Sequence, residues 1–143
     1  MANHFIVTDL VRNAMADNFT ASLDAGAQAA IEIWEGTEPA GPSTAITDGV
    51  GGYNLLAELL MSATSFGAAS NGVITAGAIA DDTSANKTGT AAFFRMKTAS
   101  GGTVIAQGTV AASGADMNFN TVAFTAGSTV SITSMTVTHP TGV

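Results

Sequence analysis

The side chains able to carry chemistry in this 143-residue chain are few and far apart. Nucleophilic catalysis needs a serine or cysteine, a base beside it and a group to orient that base. There is no cysteine, and the two histidines, His4 and His139, stand at opposite ends of the chain. Ser131 or Ser134 with His139 would pair at a strand end, but the glycine-flanked elbow that presents a nucleophilic serine is missing. Glu35 and Glu38 invite a carboxylate pair. No base or nucleophile accompanies them, so they read as solvated loop residues. Asp81 and Asp82, beside Thr83, Ser84 and Asn86, suggest calcium. The alternating acids and later glutamate of a calcium loop are not there, and this too reads as a solvated loop. Neither histidine has the neighbours of a metal ligand. The glycines precede strands and read as turn residues, not as a phosphate cradle. The expectation is a protein that is not an enzyme and uses no cofactor or metal.

Composition turns this absence into a positive expectation. Charged residues make up 10% of the chain and the net charge is −7, with four Lys and Arg in total. Ordinary soluble domains carry about 25% charged residues. Phosphate backbones and anionic membranes need clustered cations, so no direct nucleic-acid or membrane partner is expected. Hydrophobic residues are 46% but aromatics only 6%, and Ala, Gly, Thr and Ser must supply much of the surface. Burying such a surface against a neighbour desolvates few ions. An assembling subunit, a homo-oligomer included, is therefore favoured over a monomer with a neutral exterior. No stretch approaches the ~20 apolar residues of a membrane helix. The N-terminus lacks the basic start and apolar run of a signal peptide, which predicts a product made in the cytoplasm as it stands.

The elements that must position these residues are mostly strands. Residues 1–7 read as an extended arm or first strand. Residues 8–23 read as the one helix, with Thr8 as N-cap and Asp9 in the first turn, where the helix dipole favours an acid. Val11, Met15, Phe19 and Leu23 form an apolar track facing the core or a neighbour. Asn18, Phe19 and Thr20 threaten a break, and Gly26 suits a left-handed stop. Residues 29–34 alternate as a strand holding the sole tryptophan, Trp34, a core or interface anchor. Residues 35–52 form the longest loop, punctuated by Pro39, Pro42 and five glycines; loops of such length are usually functional or mobile. Residues 53–65 fit a short helix or a strand, and their place between strand regions favours strand. Asn71-Gly72 signals a turn before a weak strand over 73–79.

Residues 88–138 form a block in the vocabulary of consecutive antiparallel strands, with only Arg95, Lys97 and Asp116 charged. Four strands are expected. Ala92, Phe94 and Met96 face one way, and Phe93, Arg95 and Lys97 form a cationic outer face. Ser100, Gly101 and Gly102 return the chain as a hairpin into a strand over 103–112. There Gly108 marks a bulge or close packing against Phe93 or Phe94. Ser113 to Asp116 make a second turn. Met117 and Phe119 are out of phase with Val122 and Phe124, which implies a bulge near Asn120 or two short strands in different sheets. Val130 and Ile132 are likewise out of phase with Met135 and Val137, which implies a break near Ser134 as at the corner of a sandwich. The fold expectation is mainly β: an antiparallel β-sandwich with one short N-terminal helix or arm. Residues 1–28 would be arm and helix, and 29–143 a single sandwich domain.

In manner and composition the whole chain resembles the small virion structural proteins of tailed bacteriophages, including capsid decoration (cement) proteins. The likeness runs through IEIWEGTEPAGP, TGTAAFFRMKTASGGTVIAQGTV and TAGSTVSITSMTVTHP. It implies a non-enzymatic subunit, a β-sandwich of jelly-roll-like form, that binds a lattice of major capsid protein at the surface of the virion. Some such proteins form trimers and clamp neighbouring capsomers. It also leaves open a tail, neck or fibre subunit, or a carbohydrate-binding adhesion module built on Trp34, Glu35 and Asn54. The residues expected to make subunit contacts are Phe5, Ile6, Trp34, Pro39, Pro42 and Tyr53.

Overall fold

A computed structural model describes residues 5–140 of the chain. His4 lies outside them. Residues 5–8 lead without regular structure into helix α1, Asp9–Leu23. The Thr8 hydroxyl accepts the Val11 N–H at 3.5 Å, and Asp9 occupies the first turn. The helix runs unbroken through Asn18, Phe19 and Thr20, with the Thr20 and Ser22 hydroxyls donating to the Ala16 and Asn18 carbonyls one turn back. It ends at Asp24, whose N–H reaches the Thr20 carbonyl. Gly26 is not the left-handed stop; a Cβ there would stand 2.9 Å from the Thr98 carbonyl oxygen, so its use is close approach.

The body is mainly strand. β1 (Ala30–Glu35), β2 (Asn54–Leu60), β5 (Phe93–Lys97), β6 (Val104–Ala111) and β7 (Met117–Asn118) form one sheet in the order β2-β1-β5-β6-β7. Residues 53–65 thus supply a strand, as their position favoured. β3 (Val73–Thr75) pairs with β9 (Thr136–Thr138), and β4 (Gly89–Thr90) with β8 (Ala123–Phe124). Residues 88–138 hold six short strands where four were expected. They are not all antiparallel, since β7 runs parallel to β6. The phase slips have a cause. Met117 joins the large sheet and Phe124 a separate ladder, so the slip at Asn120 is a change of sheet. At Ser134 the chain likewise passes from a single bridge, Val130 to Asp82, into the β3–β9 ladder.

One face of the large sheet carries the core. Ile31 and Ile33 of β1 sit opposite Met96 and Phe94 of β5 and opposite Leu59 and Ala57 of β2. All six are buried. A bulge between Ile33 and Trp34 adds Leu56 to this face; two residues opposing one is what a bulge provides. Phe94 faces Gly108 across the β5–β6 pair. A Cβ on Gly108 would meet the Phe94 ring at 2.8 Å, so the glycine is there for packing. The Asn71-Gly72 turn takes positive φ at both positions, 52° and 74°, as a two-residue hairpin of primed type requires.

The opposite face was expected to be an exposed cationic surface, and it is not. Arg95 is 3% exposed and Glu32 also 3%. The loop over 36–52 lies across them. Gln107 Nε2 donates to the Pro39 carbonyl at 2.7 Å, and Arg95 Nη2 to the Thr44 carbonyl at 2.8 Å. A charged face next to a long loop rich in backbone carbonyls gives both groups partners. Among the described residues no helix is long and apolar enough to cross a membrane.

Candidate subunit-contact surface

The six expected contact residues separate into three groups. Trp34 is 4% exposed, stacked on Phe93 with ring centres 6.3 Å apart, and its indole N–H donates to Glu32 at 2.9 Å. Pro39 is buried under the loop it belongs to. Neither presents a side chain to a neighbour. The anchoring role of Trp34 is within its own chain, because its one polar atom finds a carboxylate inside. Pro42 and Tyr53 are half-buried, with the Tyr53 ring set edge-on to Phe93 at 6.1 Å. Phe5 and Ile6 are exposed at 72% and 58%.

Phe5 and Ile6 are not alone. Leu10 is 80% exposed, Met15 52% and Val11 43%, all on the arm or the first half of α1. Only Phe19 and Leu23 of the apolar helix track turn inward, Phe19 against the edge of Phe66 at 5.9 Å. The reason is that α1 docks through polar side chains. Asn13 Oδ1 accepts the Gly72 N–H at 2.7 Å, Asp17 Oδ1 accepts the Ala69 N–H at 2.9 Å, and the Asp24 carboxylate accepts the Ser65 N–H. These acceptors recur at spacings of four and seven, one stripe of a helix. Beside them Arg12 is buried, with Nε donating to the His139 carbonyl at 2.9 Å and Nη1 to Asp9 at 2.8 Å. Gly72 makes room for it, since a Cβ there would stand 2.7 Å from Arg12 Nε. With the polar stripe facing inward, the apolar track at its shoulder is turned partly to solvent. The polar spacing was present in the sequence as a signal; counting apolar residues alone passed over it.

Four further acids have local roles. Glu35 accepts from the Thr90 N–H at 3.0 Å and from Asn54 Nδ2 at 2.8 Å, and these bonds hold its carboxyl below the usual range. It joins β2 to β4, so the trio Trp34, Glu35 and Asn54 presents no stacking platform to a sugar. Asp48 is likewise held low by its 2.6 Å bond from Lys87 and by the Leu55 N–H. Asp116 is held low by the N–H and hydroxyl of Thr109. Asp82 accepts from the N–H groups of Glu58 and Ser84 at 3.0 and 2.9 Å. Among the described residues no three His, Asp or Glu are grouped as metal ligands. A cleft of about 480 Å³ lies between residues 116–121 and 129–136, with Asp116 as its single charged lining residue. His139 is tied through its backbone to Arg12 and to the Gly72 carbonyl, not to either serine.

No family model, no curated protein and no solved structure matches the chain.

Proposed function

We propose that this protein is a non-enzymatic structural subunit of a virion, of the capsid decoration kind, that binds a lattice of major capsid protein and stabilises it. The observation that carries the reading is the exposed apolar surface of Phe5, Ile6, Leu10, Val11 and Met15 on a chain with 10% charged residues. Large side chains so exposed and so close in sequence are the mark of a contact surface. A weakly charged exterior lets neighbours approach at little cost in ion desolvation. On a shell, each weak contact is repeated, and linked contacts multiply in effect. In this reading the five-stranded sheet and the ladders β3–β9 and β4–β8 are the layers of a sandwich-like, jelly-roll-type subunit. The arm and α1 are its reaching part. A place in the tail, neck or fibre would use the same surface.

The test is made on particles. Shells carrying this protein are compared with shells prepared without it, by thermal release of their contents and by indentation. The expected result is a lower release temperature and a softer shell without the protein, restored on adding it back. Equal stability in both preparations overturns the reading. Density for the protein in tail rings, with none on the shell, moves it to the tail.

A further inference from the structure

We propose that residues 131–134 are an acceptor edge for a strand from a second copy of this chain, and that the strand is the arm, residues 5–8. The inference rests on the assembly reading above and gives it a specific self-contact.

Residues 131–134 run without regular structure between two fixed points. Before them Val130 bridges to Asp82, and after them the Met135 carbonyl accepts the Ala76 N–H. Between these anchors no backbone N–H or carbonyl of 131–134 is bonded to another described residue. Ser131, Thr133 and Ser134 are exposed. A row of unpaired backbone groups held in place is a template for pairing with another chain. Beside the row is the 480 Å³ cleft. Met117 is buried in its wall, and Phe119, Ile132 and Met135 are half-buried there. The site therefore offers main-chain bonds along one side and apolar contact along the other.

The charge of the cleft selects the occupant. Its single charged lining residue is Asp116, in a chain of net charge −7. An acidic segment is repelled there, so the occupant is a part of the second copy that carries no acid. The arm is such a part: Phe5, Ile6, Val7 and Thr8 carry no charge. Phe5, Ile6 and Val7 make no backbone hydrogen bond to another described residue. The arm's own cleft does not hold it, since Phe5 and Ile6 are 72% and 58% exposed. Four extended residues span roughly 13 Å, enough to run along four residues of the edge, whose own backbone reaches no further. Paired there, Phe5 and Val7 point to one side and Ile6 to the other, while the Thr8 hydroxyl stays on the Val11 N–H as the cap of α1, so the apolar side chains of one side enter the cleft.

The chain has no cysteine, so single cysteines report contacts without background. Full-length Ile6→Cys and Thr133→Cys proteins are made, both at exposed positions, then mixed and mildly oxidised. The expected result is a mixed covalent dimer formed roughly tenfold faster than either like pair, as a shared docking geometry raises effective concentration. Thr133→Pro removes one N–H of the edge and should weaken self-association in sedimentation while circular dichroism stays unchanged. A chain that is monomeric at all concentrations overturns the proposal. So does a mixed pair no faster than the like pairs, or self-association undiminished in Thr133→Pro. An Ile6→Cys/Thr133→Cys chain that closes on itself as a monomer shows the arm in its own cleft and also overturns it. If shells still gain stability from the protein in any of these cases, the decoration reading stands and only the strand exchange fails.

Discussion

Single residues in this chain matter through close approach and through partners more than through reactivity. Gly108 is the sharpest case. A methyl group on it would stand 2.8 Å from the Phe94 ring and 3.0 Å from Asp116, and the ring is 6% exposed with little room to retreat. Gly108→Ala is expected to destabilise by about 1–3 kcal/mol, the usual cost of overpacking, read as a lower urea midpoint at unchanged slope. The contact was one of two uses legible in the sequence, a bulge or close packing against Phe93 or Phe94, and the register sets the glycine opposite Phe94. Arg12 was not legible. A cation inside a helix normally reads as solvated, and only the fold brings the His139 carbonyl to it across 127 positions. The carboxylates of Glu35, Asp48 and Asp116 give a pH dependence with a definite sign. All three are held below their ordinary range in the folded chain. On acidification the unfolded chain takes up their protons first, so their contribution is complete above the ordinary carboxylate pKa of about 4 and is lost as the pH falls through the lower folded values. Thermal unfolding of the native chain and of Asp48→Asn should therefore differ at neutral pH and converge in acid. A gap that persists in acid would mean that Asp48 acts by packing and not by charge.

At the scale of elements, the expectation that failed was the exposed cationic face of β5. Strand alternation placed Phe93, Arg95 and Lys97 together correctly, and low local charge said nothing of what would cover them. The loop over 36–52 covers them because the sheet offers it donors. Arg95 and Gln107 hold the carbonyls of Thr44 and Pro39, while Lys97 meets Glu32 at 2.7 Å. The Lys97 and Glu32 side chains are 16% and 4% exposed. Removing one partner of such a pair leaves a covered charge. Glu32→Gln is expected to cost toward the lower end of about 3–5 kcal/mol, because Lys97 keeps some contact with water. Glu32→Gln with Lys97→Met should recover part of that loss, since the orphaned charge goes too. A double variant as unstable as the sum of the single ones would show that the two side chains act independently. The segment over 117–138 teaches a related lesson. Its phase slips were plain in the sequence; the one near Asn120 marks a change of sheet, and the one near Ser134 the passage from a single bridge into the β3–β9 ladder. The pairing partners were not plain, since β3 with β9 and β4 with β8 join segments far apart in the chain, where period carries no information.

For the whole molecule, acidity and exposed apolar surface are the two terms on which the proposed association of copies depends. In the proposed assembly, a net charge of −7 opposes the approach of copies at low salt, and the exposed apolar arm and outer side of α1 would draw them together. These opposing terms respond differently to ionic strength. Screening reaches about 10 Å at 0.1 M salt and removes the repulsion, while apolar burial is left intact or strengthened. Self-association should therefore tighten as salt rises, the reverse of a contact built on ion pairs. Substitution separates the surface from the fold. Leu10 is 80% exposed and Met15 52%, so Leu10→Asp and Met15→Asp are expected to leave stability within about 0.5 kcal/mol, as exposed changes do. Each adds a charge where a neighbour would have to bury it. Sedimentation across protein and salt concentration should show weaker association for both variants, and binding to shells should fall with it. Phe19→Ala is the contrasting case, because that ring packs inside against Phe66. It should lower stability, with any loss of association following from unfolding. If Leu10→Asp and Met15→Asp associate and decorate like the native chain, the helix face is not the contact, and the arm alone must account for it.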